Sequence, residues 1–220
     1  MNTLLHRLFV RQPAFWLLIS VGLLILSPLL MAILPGMKRT VFALVFSLVV
    51  ICGLLTTHRS FRFLLFGLIL GALALIMIWL SLFQEHIYWL TFGRSLILLV
   101  LSLLIGYHLF LLVYRSRKVN MNIINASVAA FLFIGIIGGQ ACYLLELLQP
   151  GAFDYVGQSM WYDLQYFSFT SLTTMGITDV NPVSPQAKAV TLMISLNGQL
   201  YLTIIIAILV GKYVSRATPG

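Results

Sequence analysis

The sequence predicts an all-α membrane protein: six transmembrane helices, with a short re-entrant helix and loop between the fifth and the sixth. Three observations carry this. Hydrophobic residues fill 61% of the 220 positions and charged residues 8%, far from the balance of a water-soluble domain. The apolar residues fall in runs close to the ~20 that cross a hydrocarbon core as a helix. The mostly apolar and aromatic stretch Trp161–Leu172 is too short to cross, and breaks at Thr173-Thr174-Met175-Gly176 before returning through Asp179 to Pro182. Irregular backbone at membrane depth survives only where protein buries it or where it lines a wet cavity, so this stretch reads as the wall of a pore.

Each span has its own signature. The first, Ala14 to Leu34, exceeds a signal-peptide core and lacks a small-residue cleavage site, so it is expected to stay uncleaved. It contains Pro28, which a lipid-embedded helix tolerates, and stops at Pro35-Gly36-Met37-Lys38-Arg39. The second covers about Thr40 to Thr57, followed by His58-Arg59-Ser60-Phe61-Arg62, and the third Phe63 to Phe83. Residues Gln84 to Arg94 have the aromatic content of an interfacial segment. The fourth span, Ser95 to Tyr114, stops at Arg115-Ser116-Arg117-Lys118. The fifth covers Ile123 to Leu148 before Pro150-Gly151 opens an outer loop, and the sixth runs from Ala187 to Val214. The chain thus divides into a four-helix region, 1–121, and a second unit, 122–220, that holds the short helix and its loop.

Charge gives the orientation. With both ends cytoplasmic, Arg7, Arg11, Arg59, Arg62, Arg115, Arg117, Lys118, Lys212 and Arg216 face inward, and Lys38, Arg39, Arg94 and Lys188 outward. That excess satisfies the positive-inside rule, so the net charge of +8 is read as topology and not as a nucleic-acid surface. The acids Glu146, Asp154, Asp163 and Asp179 gather around the mouth, where negative potential concentrates cations. For Glu146 and Asp154, simple tolerance of acids in an outer loop is an equal reading. Cys52 and Cys142 lie inside apolar segments and are read as packing residues. Asn125-Ala126-Ser127 is read as a chance sequon.

From about Asn122 onward the chain resembles the potassium-channel pore family, whose pattern is Trp-x-x-x-x-Tyr-Phe-Ser, then Thr-x-Thr-Thr-Val-Gly-Tyr-Gly-Asp, then a last helix with a central Gly. Trp161, Tyr166-Phe167-Ser168, Leu172-Thr173-Thr174-Met175-Gly176-Ile177-Thr178-Asp179 and Gly198 stand in those places. The resemblance implies a pore helix and a selectivity filter at Thr174, Met175, Gly176, Ile177 and Thr178. Four facing copies would hold a monovalent cation, potassium or another, at Thr174, Met175 and Gly176. It implies filter support from Asp179, hydrogen-bonded to Trp161 or Tyr162, and a gating hinge at Gly198. A small residue for close helix packing is the other reading of Gly198.

The departures are specific. Met175 replaces a β-branched residue, Ile177 a tyrosine, and Thr178 the second glycine. The family's filter alternates ordinary and left-handed dihedrals, so Thr178 is expected to carry roughly 1–2 kcal/mol of strain and to distort the outermost site. Potassium selectivity stays open on that account. Ser195, Gly198 and Leu202 share a helical face, which Ile206 and Val210 continue as an apolar constriction.

Other classes fit less well. A voltage sensor needs several arginines within the field, each worth about 2.3 kcal/mol per 100 mV, and the fourth span has none between Arg94 and Arg115. Paired interrupted helices of a secondary transporter are missing, as are hydrolase motifs, so no enzyme is expected. The sequence supports passive cation conduction by a homotetramer. The alternative is a non-conducting, pore-like membrane subunit or scaffold. No cofactor beyond the permeant ion, no nucleic-acid partner and no soluble regulatory domain are expected, and the location is a bacterial inner membrane.

Overall fold

The computed structural model describes residues 13–33, 37–56, 61–82, 88–116, 120–157 and 159–217. Within them run α1 (Pro13–Ile25), α2 (Ser27–Ile33), α3 (Lys38–Thr56), α4 (Phe61–Leu80), α5 (Tyr88–Arg115), α6 (Met121–Leu148), α7 (Met160–Leu172) and α8 (Pro185–Ala217). Two-residue strands, β1 (Phe153–Asp154) and β2 (Asn181–Pro182), flank α7. Tyr88–Arg115, Met121–Leu148 and Pro185–Gly211 are long and apolar enough to cross a membrane, which makes this an integral membrane protein. Of the other apolar helices, α3 (19 residues) and α4 (20 residues) are close to the ~20 residues a perpendicular crossing takes, and α1 (13 residues) is shorter. The orientation reading drawn from Arg7, Arg11, Arg59, Arg117 and Lys118 falls outside the described residues, as do Pro35-Gly36 and His58.

Two sequence expectations change. The first span is not continuous: the helix breaks at Leu26, just before Ser27-Pro28. Pro28 has no N–H for the carbonyl of Leu24, four residues back. Ser27 Oγ takes its place, donating to Leu24 O at 2.6 Å. The described part of the aromatic segment before the fourth span, from Tyr88 to Arg94, is already helical and opens α5. Tyr88 Oη donates to Leu147 O at 2.8 Å and Arg94 Nη1 to Ser81 Oγ at 2.8 Å, so both ends of this stretch are tied to neighbouring elements.

The centre of the fold is α6, which packs against α1, α5, α7 and α8. Its start is set by Asn120, whose Oδ1 accepts from Ile123 N at 3.0 Å, a side-chain cap that satisfies one of the orphan donors of the first turn. Toward the cytoplasmic half of the reading above, Ala129, Phe133 and Ile136 join Leu17, Phe46, Leu101 and Ile105 in one apolar core. Further along, Cys142 and Tyr143 join Phe153, Leu164, Phe167, Leu172 and Ile194 in a second. Both cysteines are buried and unpaired, as packing residues are.

Between α6 and α7 lies a stripe of glycines. A Cβ on Gly135 would enter the ring of Phe169, one on Gly138 would strike Ser168 Oγ and Ile194, and one on Gly139 would strike the Gln165 amide. At this close range Ser168 Oγ donates to Gly135 O at 2.8 Å and Gln165 Nε2 to the same carbonyl at 3.1 Å. The outer loop is anchored from below by buried Glu146, which accepts from Gly151 N at 2.8 Å and Phe153 N at 2.9 Å. β1 and β2 pair antiparallel, Phe153 opposite Pro182 and Asp154 opposite Asn181, so the chain entering α7 and the chain leaving its loop are joined. Ser184 Oγ then caps α8 at Ala187 N, 3.1 Å, with Pro185 in the first turn, where its missing N–H costs nothing.

Overfilling the glycine stripe tests this arrangement. Gly138→Val is expected to destabilise the protein by about 1–3 kcal/mol, since Ser168 and Ile194 must be pushed aside. Gly22→Ala in α1, where a Cβ meets nothing within 4 Å, serves as the control and leaves melting in detergent unchanged or slightly raised. Equal melting of the Gly138 variant and the wild type would show that α7 does not rest there.

Candidate functional site

The strip after α7 begins as a helix cap. Thr174 N bonds Ser171 O at 3.1 Å and Met175 N bonds Thr170 O at 2.9 Å, the paired closure that satisfies the last carbonyls of a helix. Gly176 N also leans on Thr170 O, at 3.3 Å. This closure demands a left-handed residue just past the cap, normally glycine; here Thr174 takes it, with φ +58°. The cost is roughly 1–2 kcal/mol.

That finding corrects the expectation for Thr178. The positive-φ positions in the strip are Thr174 and Gly176 (φ +65°), so a left-handed alternation exists but sits two residues nearer the helix. The backbone N–H groups after α7 are drawn back to its carbonyls, and the helix end decides which residue is strained. Thr178 keeps an ordinary φ and accepts Val180 N on its hydroxyl at 3.1 Å. Met175 (64%) and Ile177 (67%) hold their side chains largely exposed.

Trp161 and Tyr162 lie apart from Asp179 in the single chain. Trp161 turns toward α3, its ring 4.7 Å from that of Phe42 and 6.1 Å from that of Phe46, both edge-on. Tyr162 joins the same aromatic group, 4.9 Å from Trp161, and its buried hydroxyl lies beside Ser27 without completing a hydrogen bond. Among the described residues neither ring bonds Asp179. Asp179 is exposed and stands near Asp163 of α7 instead.

The Asp163 carboxyl is wedged against Gly157, and its Oδ2 is buried without a hydrogen-bond partner. Burial raises it above the usual carboxylate range; a hydrogen bond from the Ser159 backbone opposes the rise, and the Asp179 charge adds to it.

On the other side of the strip lies α8. Gly198 lets α8 touch the end of α7: a Cβ there would strike the Leu172 carbonyl. Ser195 Oγ donates to Ser171 O at 3.1 Å, and Gln199 Nε2 reaches Thr174 Oγ1 at 3.4 Å. Leu202, Ile206 and Val210 continue along α8 as exposed apolar residues. Sequence reasoning missed Gln165, and placed Ser168 and Gln199 only within the family pattern, without a contact for either. A polar residue every turn or so on an otherwise apolar helix was the available signal, but it does not say which neighbour each one meets.

A short helix held between two long apolar helices is followed by an exposed Thr-Thr-Met-Gly strip in an integral membrane protein. Residues 130–215, from the middle of α6 to nearly the end of α8, match the family model described as "Ion channel", which places this part of the chain with an ion-channel pore family. No match was found among curated proteins or among solved structures.

Two substitutions probe the geometry. Thr174→Gly is expected to raise stability by about 1 kcal/mol by removing the left-handed penalty, seen as a higher melting temperature. For Asp163 the raised folded pKa means a proton is held more tightly after folding. Its favourable contribution is therefore complete below the ordinary Asp range and is lost as pH rises through the raised value. Asp163→Asn should melt higher than the wild type at neutral pH, and the difference should vanish on acidification.

Proposed function

We propose that the protein is a passive cation channel of the potassium-channel type, in which four copies bring the strip from Thr174 to Thr178 around a shared axis. Six spans place both ends in the cytoplasm of a bacterial inner membrane. The observation that carries this reading is the state of the strip: Thr174, Met175 and Gly176 are hydrogen-bonded to α7, yet Thr174 to Ile177 are exposed in a single chain. An ordered, exposed backbone edge suits facing copies, since an ion cage needs carbonyls from several sides. The C-terminal end of α7, which carries partial negative charge, lies at the same place and favours a cation there.

In this reading Thr174, Met175 and Gly176 supply the cation sites and Ile177 and Thr178 complete the outer end. Trp161 and Tyr162 support the filter by fixing α7 to α3, and Asp179 contributes charge at the mouth. Gly198 is the point at which α8 both touches α7 and bends. The match to an ion-channel model over residues 130–215 supports conduction; discrimination between potassium and sodium depends on how Thr174 and Met175 sit once four strips face one another.

A second reading is a non-conducting membrane subunit or scaffold. Its support is that Met175 N and Gly176 N are both turned back onto Thr170 O, which draws the strip toward the helix end. Purified protein in liposomes separates the two. The channel reading expects thallium influx into vesicles and a reversal potential that moves with the potassium gradient; sealed vesicles around a stable tetramer would establish the scaffold. A reversal potential indifferent to exchange of sodium for potassium would show a non-selective cation pore.

A further inference from the structure

The contact between Gln199 and Thr174 lies at the end of the strip nearest α7, which the conduction reading makes the innermost cation site. Thr174 Oγ1 donates its only hydrogen to Thr173 O at 2.7 Å. What remains on that oxygen is its lone pairs, so the part of Gln199 that faces it at 3.4 Å must be the amide NH2. A cation ligated by the Thr174 hydroxyl would need those same lone pairs. Amide and cation therefore compete for one oxygen.

We propose that Gln199 is the built-in occupant of the innermost cation site, a specificity-determining residue whose amide must leave Thr174 before an ion can be held there. The inference rests on the conduction reading above and adds a competitor to it. The position of Gln199 is fixed by its neighbours on α8: Gly198 brings the helix against the Leu172 carbonyl, and Ser195 Oγ holds Ser171 O. One turn further on, Thr203 Oγ1 donates to the Gln199 carbonyl at 2.9 Å. The backbone of Gln199 is thus fixed while its exposed side chain is free to swing. At 3.4 Å the bond is longer than an ordinary N–H···O bond, so an ion's full charge displaces it readily. Occupancy of the inner site then rises only at cation concentrations high enough to win the exchange.

The test uses the full chain in liposomes, with thallium as the probe ion: influx against thallium concentration, and calorimetric thallium titration of the same protein in detergent. Gln199→Ala removes the competitor and is expected to lower the half-saturating thallium concentration about fivefold in both measurements, the effect of deleting one competing hydrogen bond. Gln199→Met, which keeps the bulk without the amide, is expected to do the same and serves if the smaller side chain disturbs assembly. Asn197→Ala, which loses only a bond from Nδ2 to Met193 O on its own helix, should leave half-saturation unchanged. If the wild type conducts and both Gln199 variants saturate where it does, the competitor is disproved while the channel stands. A higher half-saturating concentration in the variants would make Gln199 an ion ligand and also overturn the proposal. Absence of both flux and binding in every protein would remove the proposal together with the conduction reading.

Discussion

The distance between α6 and α7 governs everything at the site. It is set by the missing side chains of Gly135, Gly138 and Gly139, each of whose Cβ atoms would fall inside an α7 side chain. Within a membrane, burial of apolar surface gives little net pull between helices, because lipid is as apolar as leucine; close packing and interhelical hydrogen bonds must supply it. Both occur here at one carbonyl, Gly135 O, which accepts from Ser168 and Gln165. These bonds reach only at the separation that the glycines permit. Fixing α7 fixes its C-terminal carbonyls, and those carbonyls in turn shape the strip that follows.

This hierarchy explains what could be read from the sequence and what could not. The short helix, its break at Thr173 and the long last helix were legible because length and hydrophobic run are local properties. The exposed strip after that break could be located too, since Thr-Thr-Met-Gly before an Asp is a dense pattern. The site of strain was not: Thr178 looked wrong because it replaces a glycine, whereas the left-handed non-glycine residue is Thr174. Which residue takes that conformation is settled by bonds from Thr174 N and Met175 N to Ser171 O and Thr170 O, and these belong to the helix end. The break at Leu26 had its signal in Ser27-Pro28, yet only the structure shows the Ser27 hydroxyl replacing the lost amide. Trp161 illustrates the remaining difficulty: an aromatic at a helix start can face the strip or a neighbouring helix, and Phe42 with Phe46 of α3 decides the matter.

The last helix adds a constraint of a different kind. Ala187, Ile194, Gly198 and Ile205 are buried, a single stripe spaced by fours and sevens. Leu192, Leu196, Leu200, Ile206 and Val210 are exposed around it. Such a helix is stable only with lipid or further protein on its uncovered faces. Asn197, Gln199 and Thr203 interrupt that apolar surface with polar groups that lipid would not favour. The shared axis proposed above, with water on the Gln199 side and lipid or neighbouring copies on the others, would satisfy both sets of residues at once. The uncovered strip, Thr173 to Ile177, lies next to Gln199 and meets the same requirement.

The acids at the mouth follow from the same packing. By sequence Glu146, Asp154, Asp163 and Asp179 count alike, but their surroundings divide them. Glu146 is buried and already holds two backbone N–H groups, so it acts as an internal anchor for the loop and contributes little to the field outside. Asp163 is partly buried against Gly157 and disfavours its charged form. Asp154 and Asp179 remain exposed. Asp154 belongs to β1 and Asp179 immediately follows the strip, so only the latter lies within a few residues of the cation sites proposed here. With screening over about 8 Å at physiological salt, the charge nearest the strip dominates the local potential. Because Asp179 also raises the protonation of Asp163, the mouth does not gain two independent negative charges: strengthening one weakens the other, and the loop that buries Asp163 sets the balance.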